Sequence, residues 1–257
     1  MAGSVLDRPD VLQVLFYPRR EEELAFIPPS AQPVAFEVEP GLTTGGRLYP
    51  AGVRAPAILF FHGNGEIAAD YDDLAPLYTR LGITLLVADY RGYGASGGIP
   101  TASHLLTDAV TIFGQVGRVL EGHGLAPPRL YVMGRSLGSA AAIEVALRAG
   151  ERLAGLIVES GFADTFGLLA RLGLRVRGAD EERDGFGNAA KMSHIRTSAL
   201  IIHGLSDVLI PADDGQELHR RCTATDKKLV LIPGAGHNNL MLVGVAAYFE
   251  AIRAFVR

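Results

Sequence analysis

A serine set between glycines, a histidine near the end of the chain and carboxylates between the two are the residue types of a nucleophilic triad. The stretch Leu130-Tyr-Val-Met-Gly134-Arg-Ser136-Leu-Gly138 carries the pattern G-x-S-x-G directly after an apolar run and directly before an alanine-rich one. A serine on a tight turn from strand to helix needs small neighbours, because the backbone folds back closely on itself, and Gly134 and Gly138 supply them. With 31 glycines in the chain the pattern alone could be an ordinary glycine-rich turn; the strand before it and the helix after it weigh against that. The turn also brings the Leu137 N–H to a helix N-terminus, where unpaired amides and the helix dipole favour a developing negative charge. Leu137 is therefore one expected oxyanion donor.

A serine hydroxyl attacks well only when a base takes its proton. Of the seven histidines, His237 follows the last apolar run and precedes the last helical stretch, in Leu231-Ile-Pro-Gly-Ala-Gly236-His237. That is the edge of a parallel sheet where ligands bind. His62 and His203 each precede a glycine at a strand end and are expected to brace their loops. His104, His123, His194 and His219 have no such placement and receive no role.

For a nucleophile on such an elbow the chain order is serine, acid, histidine. Asp207, in Ile202-His-Gly-Leu-Ser-Asp207, falls in the loop after the seventh apolar run and is the expected acid. Glu159 and Asp164, after the sixth run, are its competitors. Asp213 and Asp214 read as helix N-cap and first-turn acids. A second oxyanion donor is expected from Phe60-Phe-His-Gly-Asn64-Gly-Glu66, with the Asn64 N–H as the choice and Gly63 and Gly65 allowing close approach.

The elements that must position these groups are eight short apolar runs alternating with helical periodicity, the rhythm of an α/β chain with a mostly parallel sheet. The runs are Val34–Val38, Arg47–Tyr49, Ala57–Phe61, Ile83–Ala88, Leu130–Met133, Leu156–Val158, Ala199–Ile202 and Lys228–Ile232. Continuous apolar runs such as Ile58–Phe61 suit strands buried on both faces; the first two runs are mixed and suit an antiparallel edge. Helices are expected over Glu66–Leu81, Ala102–Glu121, Leu137–Ala149, Asp213–Arg221 and Asn238–Val256. Residues 1–33 read as an N-terminal extension and 34–257 as one domain, interrupted by a short lid over about 161–195. In that lid Phe166, Leu168, Leu169, Leu172 and Leu174 offer an apolar face that suits short to medium acyl chains, or else packs the lid onto the sheet.

Composition narrows the function classes. Hydrophobic residues form 48% of the 257-residue chain and charged residues 20%, enough for a buried sheet. A net charge of −4 gives no general pull toward nucleic acid, which is excluded as an expected partner. The single Cys222 can form neither an internal disulfide nor a thiolate metal site and reads as a semi-buried helix residue. The apolar stretch Val11–Tyr17 is interrupted by Gln13 and followed, not preceded, by Arg19 and Arg20, unlike a signal peptide. No apolar run approaches the roughly 20 residues of a membrane span, so a cytoplasmic protein is the expectation. Oligomeric state is not legible.

The segments Phe60-Phe-His-Gly-Asn-Gly65, Asp89-Tyr-Arg-Gly-Tyr-Gly94 with Ser96-Gly97, Gly134-Arg-Ser-Leu-Gly138, Ile201-Ile-His-Gly204 with Asp207 and Ile210-Pro211, and Gly234-Ala-Gly-His237-Asn238 occur in this order over about residues 57–240. In them the chain resembles the α/β-hydrolase superfamily, and within it the small-lid branch related to membrane-anchored protein depalmitoylases and their bacterial counterparts. The resemblance implies a serine hydrolase of the α/β-hydrolase fold with Ser136, Asp207 and His237 as triad, and with Asp89 and Arg91 as scaffold. It implies a small-molecule acyl ester or thioester as substrate, and no cofactor or metal. The eukaryotic depalmitoylases carry a lipidated, cysteine-rich N-terminus, whereas the cysteine here is Cys222. A peptidase of the same fold and a catalytically silent binding protein are the alternatives, since fold alone does not fix function. A dehalogenase or epoxide hydrolase would need an aspartate where Ser136 stands.

Overall fold

The computed structural model describes residues 4–22 and 26–256. Its centre is an eight-stranded sheet in the order β1-β2-β4-β3-β5-β6-β7-β8. The strands are β1 (Gln32–Glu39), β2 (Leu42–Tyr49), β3 (Ala57–Phe61), β4 (Thr84–Ala88), β5 (Leu130–Arg135), β6 (Gly155–Glu159), β7 (Ala199–Gly204) and β8 (Lys227–Ile232). β2 runs antiparallel to β1 and β4, and every other pairing is parallel. The mixed first two runs thus form the expected antiparallel edge, and the ends of β3 to β8 share one rim.

Burial on both faces explains the continuous apolar runs. Along β3, Leu59 and Phe61 belong to the core on one side of the sheet, whereas Ile58 and Phe60 belong to the core on the other. The helices are α1 (Pro9–Leu15), α2 (Ala75–Thr79), α3 (Ala102–Gly122), α4 (Gly138–Ala149), α5 (Thr165–Arg171), α6 (Glu181–Asp184), α7 (Asn188–Met192), α8 (Ala212–Arg221) and α9 (Leu240–Phe255). α1 buries Val11 and Leu15. The region from 161 to 195 holds α5, α6 and α7.

Four expectations need correction. The single helix expected over Glu66–Leu81 is a 3-10 turn, Ala68–Tyr71, followed by the short α2. Pro76 lies in the first turn of α2; it lacks an N–H and its ring crowds the preceding carbonyl, so it starts a helix but cannot continue one. The last helix departs from helical geometry at Gly244 (φ −117°, ψ 29°), where a Cβ would collide with the Ile232 side chain of β8. The N-cap of α8 is Pro211, so Asp213 and Asp214 are both first-turn acids. Cys222 is buried just beyond α8.

Candidate active site

β5 ends in a turn that the glycines make possible. Ser136 sits at φ 51°, a left-handed conformation costly for a residue with a side chain. A Cβ at Gly134 would fall on the backbone of Gly138, and one at Gly138 on the backbone at Phe61 and His62. The sharp turn is held by the Ser136 N–H donating to the Glu159 carbonyl at 2.9 Å. The Ser139 hydroxyl donates to the Ser136 carbonyl at 2.6 Å.

The loops after β7 and β8 bring Asp207 and His237 to this serine. They are joined through backbone bonds, Ser206 N–H to Ala235 C=O at 2.8 Å and Leu205 N–H to Ile232 C=O at 3.0 Å. Gly204 admits this approach, since a Cβ there would meet the Ala235 carbonyl. His237 Nε2 lies 2.9 Å from Ser136 Oγ, and His237 Nδ1 lies 2.8 Å from Asp207 Oδ2. With the proton on Nδ1 donated to Asp207, Nε2 is free to accept from the serine hydroxyl.

Asp207 is 5% exposed, and its second oxygen accepts from the N–H groups of Leu209 (3.0 Å) and Ile210 (2.8 Å). Burial opposes its ionisation, but the nearby His203, 3.6 Å away, and the hydrogen bonds from His237 and the Ile210 N–H outweigh burial and hold the carboxyl well below the usual range. The two competitors are occupied elsewhere. Asp164 caps α5 by accepting from Phe166 and Gly167 N–H at 2.9 and 3.1 Å. Glu159 is buried at the end of β6, where burial raises its pKa against the pull of Arg135, and it accepts from the Tyr248 hydroxyl at 2.7 Å.

The loop after β3 is stapled so that one amide remains available. Glu66 Oε2 takes the Gly63 N–H at 2.9 Å and the Tyr71 hydroxyl at 2.7 Å. Asn64 Oδ1 takes the Tyr17 N–H and the Tyr93 hydroxyl, each at 2.7 Å. The Asn64 and Leu137 N–H groups make no hydrogen bond to another described residue. Both residues line, with Ser136 and His237, a cleft of about 200 Å³ walled by Leu15, Leu168, Leu172 and Leu209. Leu169, expected on the same apolar face, is instead fully buried in the core, because consecutive helical residues point about 100° apart.

His62 and His203 brace loops as expected: His62 Nδ1 bonds the Gly63 carbonyl at 2.8 Å and His203 Nε2 the Ile210 carbonyl at 2.7 Å. Asp89 accepts from Ala68 N–H at 2.8 Å, and Arg91 pairs with Asp108 at 2.6 Å.

Arg135 was not among the residues expected at the site. Its guanidinium contacts Glu66, lies 3.2 Å from Glu159 and donates to the His237 carbonyl at 2.9 Å and to Asn238 Oδ1 at 3.1 Å. Burial disfavours its charge, but Glu66 and Glu159 more than compensate, so it stays protonated. Arg135 and Glu159 are register partners on β5 and β6. The available signal was an arginine closing a buried strand, where an unpaired charge would be costly. Among the described residues no group of three or more His, Cys, Asp or Glu could hold a metal ion, and no helix is long and apolar enough to cross a membrane.

Residues 53–179 match the family described as serine aminopeptidase, S33. Over 235 residues the chain is 30% identical to an uncharacterized protein of Mycobacterium tuberculosis, an overlap of 89% of this chain and 80% of that protein. Over 207 residues it is 31% identical to human alpha/beta hydrolase domain-containing protein 17B, covering 77% of this chain and 65% of that protein. Among solved structures it is similar to an esterase of Pyrococcus furiosus, with a TM-score of 0.73 at 18% identity over 93% of this chain and 95% of that one. A soluble variant of monoglyceride lipase from Saccharomyces cerevisiae is similar at TM-score 0.65 and 17% identity, over 91% and 96% of the two chains. These structural likenesses speak to fold.

Proposed function

This chain belongs to the α/β-hydrolase superfamily, and from that premise we propose that it is a serine hydrolase cleaving carboxylic ester or thioester bonds through an acyl-enzyme. The observation that carries the reading is the row Ser136 Oγ, His237 Nε2 and Nδ1, Asp207 Oδ2, with hydrogen-bond distances of 2.9 and 2.8 Å. Ser136 attacks the carbonyl carbon while His237 takes its proton; Asp207 holds the imidazole in the required tautomer and stabilises the imidazolium. The free N–H groups of Asn64 and Leu137 receive the oxyanion. His237 then gives the proton to the leaving oxygen or sulfur, and water, activated by the same histidine, releases the acid. The triad needs no metal or cofactor for this chemistry.

A fluorophosphonate probe tests the reading directly, because it phosphonylates an activated serine. Wild type should label at Ser136 and hydrolyse p-nitrophenyl esters, and folded Ser136→Ala should do neither. Labelling of the mutant at full level would remove Ser136 as nucleophile. The description of the matched family favours a peptide as the second substrate class. Hydrolysis of aminoacyl amides faster than of the matching esters would move the assignment there.

A further inference from the structure

We propose that the site has two lobes divided by His237 and that the larger takes the leaving group of the substrate, an alcohol or thiol with a neutral hydrocarbon body; this rests on the hydrolase reading above. The smaller lobe, about 200 Å³, contains Ser136 and the amide-bearing residues Asn64 and Leu137. The larger lobe, about 460 Å³, shares His237 and Arg135 with the first but is lined by neither Ser136 nor those two residues. Its walls are Leu74 and Leu77 beside and within α2, and Leu240, Met241 and Leu242 from the start of α9. Leu242, at the rim, is 84% exposed, so a seated hydrocarbon would cover apolar surface now in water.

Each charged side chain lining this lobe already has a partner within the protein. Arg135 on its floor is paired with Glu66 and Glu159, and Asp70 is paired with Arg19 at 2.7 Å. A charged ligand would have to compete with these pairs, whereas an apolar one would leave them intact. Size points the same way: cavities that take drug-sized molecules run from roughly 300 to 1,000 Å³, a range that includes the larger lobe and not the smaller.

The chemistry assigns which half of the substrate goes where. As the bond from Ser136 Oγ to the carbonyl carbon forms, the serine proton passes to His237 Nε2. When the tetrahedral intermediate collapses, the bond from carbon to the leaving oxygen or sulfur breaks, its electron pair goes to that atom, and the proton on Nε2 follows it. The leaving atom must therefore face His237, and its hydrocarbon body extends past the imidazole into the larger lobe. The acyl group stays bonded to Ser136 in the smaller one.

Isomeric esters separate the two halves at equal overall hydrophobicity. Hexyl acetate carries its chain on the alcohol and ethyl hexanoate carries it on the acid. In the acetate series kcat/KM should rise about fourfold for each of the first added alcohol methylenes. Hexyl acetate should exceed ethyl hexanoate by about tenfold or more. Met241→Trp and Leu77→Trp fill the larger lobe from α9 and from α2; each should lose about tenfold more on hexyl acetate than on ethyl acetate, with Ser136 still labelled by the fluorophosphonate. A preference for ethyl hexanoate, or equal losses on ethyl and hexyl acetate in both variants, would overturn the two-lobe assignment while a labelled Ser136 left the hydrolase reading standing. If Ser136 does not label and no ester is cleaved, the hydrolase reading fails and the assignment with it.

Discussion

The guanidinium of Arg135 donates to the backbone carbonyl of His237 at 2.9 Å, so the residue immediately before Ser136 holds the loop that carries His237. Under the proposed mechanism Arg135 touches no reacting atom and acts by positioning. Arg135→Lys keeps the charge but loses the fork that reaches Glu66, Glu159, His237 and Asn238 together. Since misplacing a catalytic group by about 1 Å can cost on the order of 10²-fold, kcat should fall by up to that factor while KM changes far less. Added guanidinium should restore part of the loss in Arg135→Gly. An unchanged kcat in Arg135→Lys would assign Arg135 to stability alone. Arg135→Met, which leaves Glu159 buried without its cation, should cost about 3–5 kcal/mol in urea unfolding.

The ranking of Asp207 and Asp164 can be read from turnover. Removing a triad acid leaves the histidine in the wrong tautomer and can cost on the order of 10⁴ in kcat. Asp207→Asn should fall by orders of magnitude. Asp164→Asn, which keeps an oxygen to cap α5, should keep kcat within a few-fold and leave stability nearly unchanged. The reverse order would place the acid after β6.

Asp207 also predicts an acid limb in stability. Its folded pKa lies below the unfolded value of about 3.9, so near and below that pH the unfolded state binds more protons. The stabilisation is fully present above about pH 4 and is lost as pH falls toward the folded pKa. Urea midpoints measured at successive pH values below about 4 should drop less steeply for Asp207→Asn than for wild type. Parallel slopes would show that the carboxylate contributes nothing to acid unfolding.

Acyl-chain preference should respond to Leu168 and Leu172, which line the cleft at Ser136, and not through the same mechanism to Leu169, which is core. Leu172→Ala enlarges the smaller lobe, so the optimum in a p-nitrophenyl ester series should move to longer acids, with each accommodated methylene contributing about 0.8 kcal/mol. Leu169→Ala should leave the profile in place and destabilise by about 2–5 kcal/mol, as cavity formation in a core does. A profile unchanged in both Leu168→Ala and Leu172→Ala would give these leucines a packing role only.

What the sequence determined by itself is whatever depends on neighbours along the chain. Apolar runs such as Ile58–Phe61 specify strands buried on both faces, and the interval from Gly134 to Gly138 specifies the elbow, because both rest on local sterics and solvent exclusion. The helix expected over Glu66–Leu81 failed locally too, at Pro76, where a missing N–H outweighed the periodicity.

Tertiary structure alone decided which groups meet. Asp207, Asp164 and Glu159 all lie near the rim of the sheet, but only the backbone bonds between the loops after β7 and β8 set Asp207 against His237. The amide of Asn64 stays free while that of Gly63 is taken by Glu66, whose carboxylate is held by the nearby Tyr71 and by Arg135 arriving from β5. Arg135 finds Glu159 through the register of β5 on β6, and His237 through the return of the loop after β8. Partners 101 residues apart, as Ser136 and His237 are, leave no periodic trace in a sequence; their distance follows from sheet order and register, which long-range packing sets.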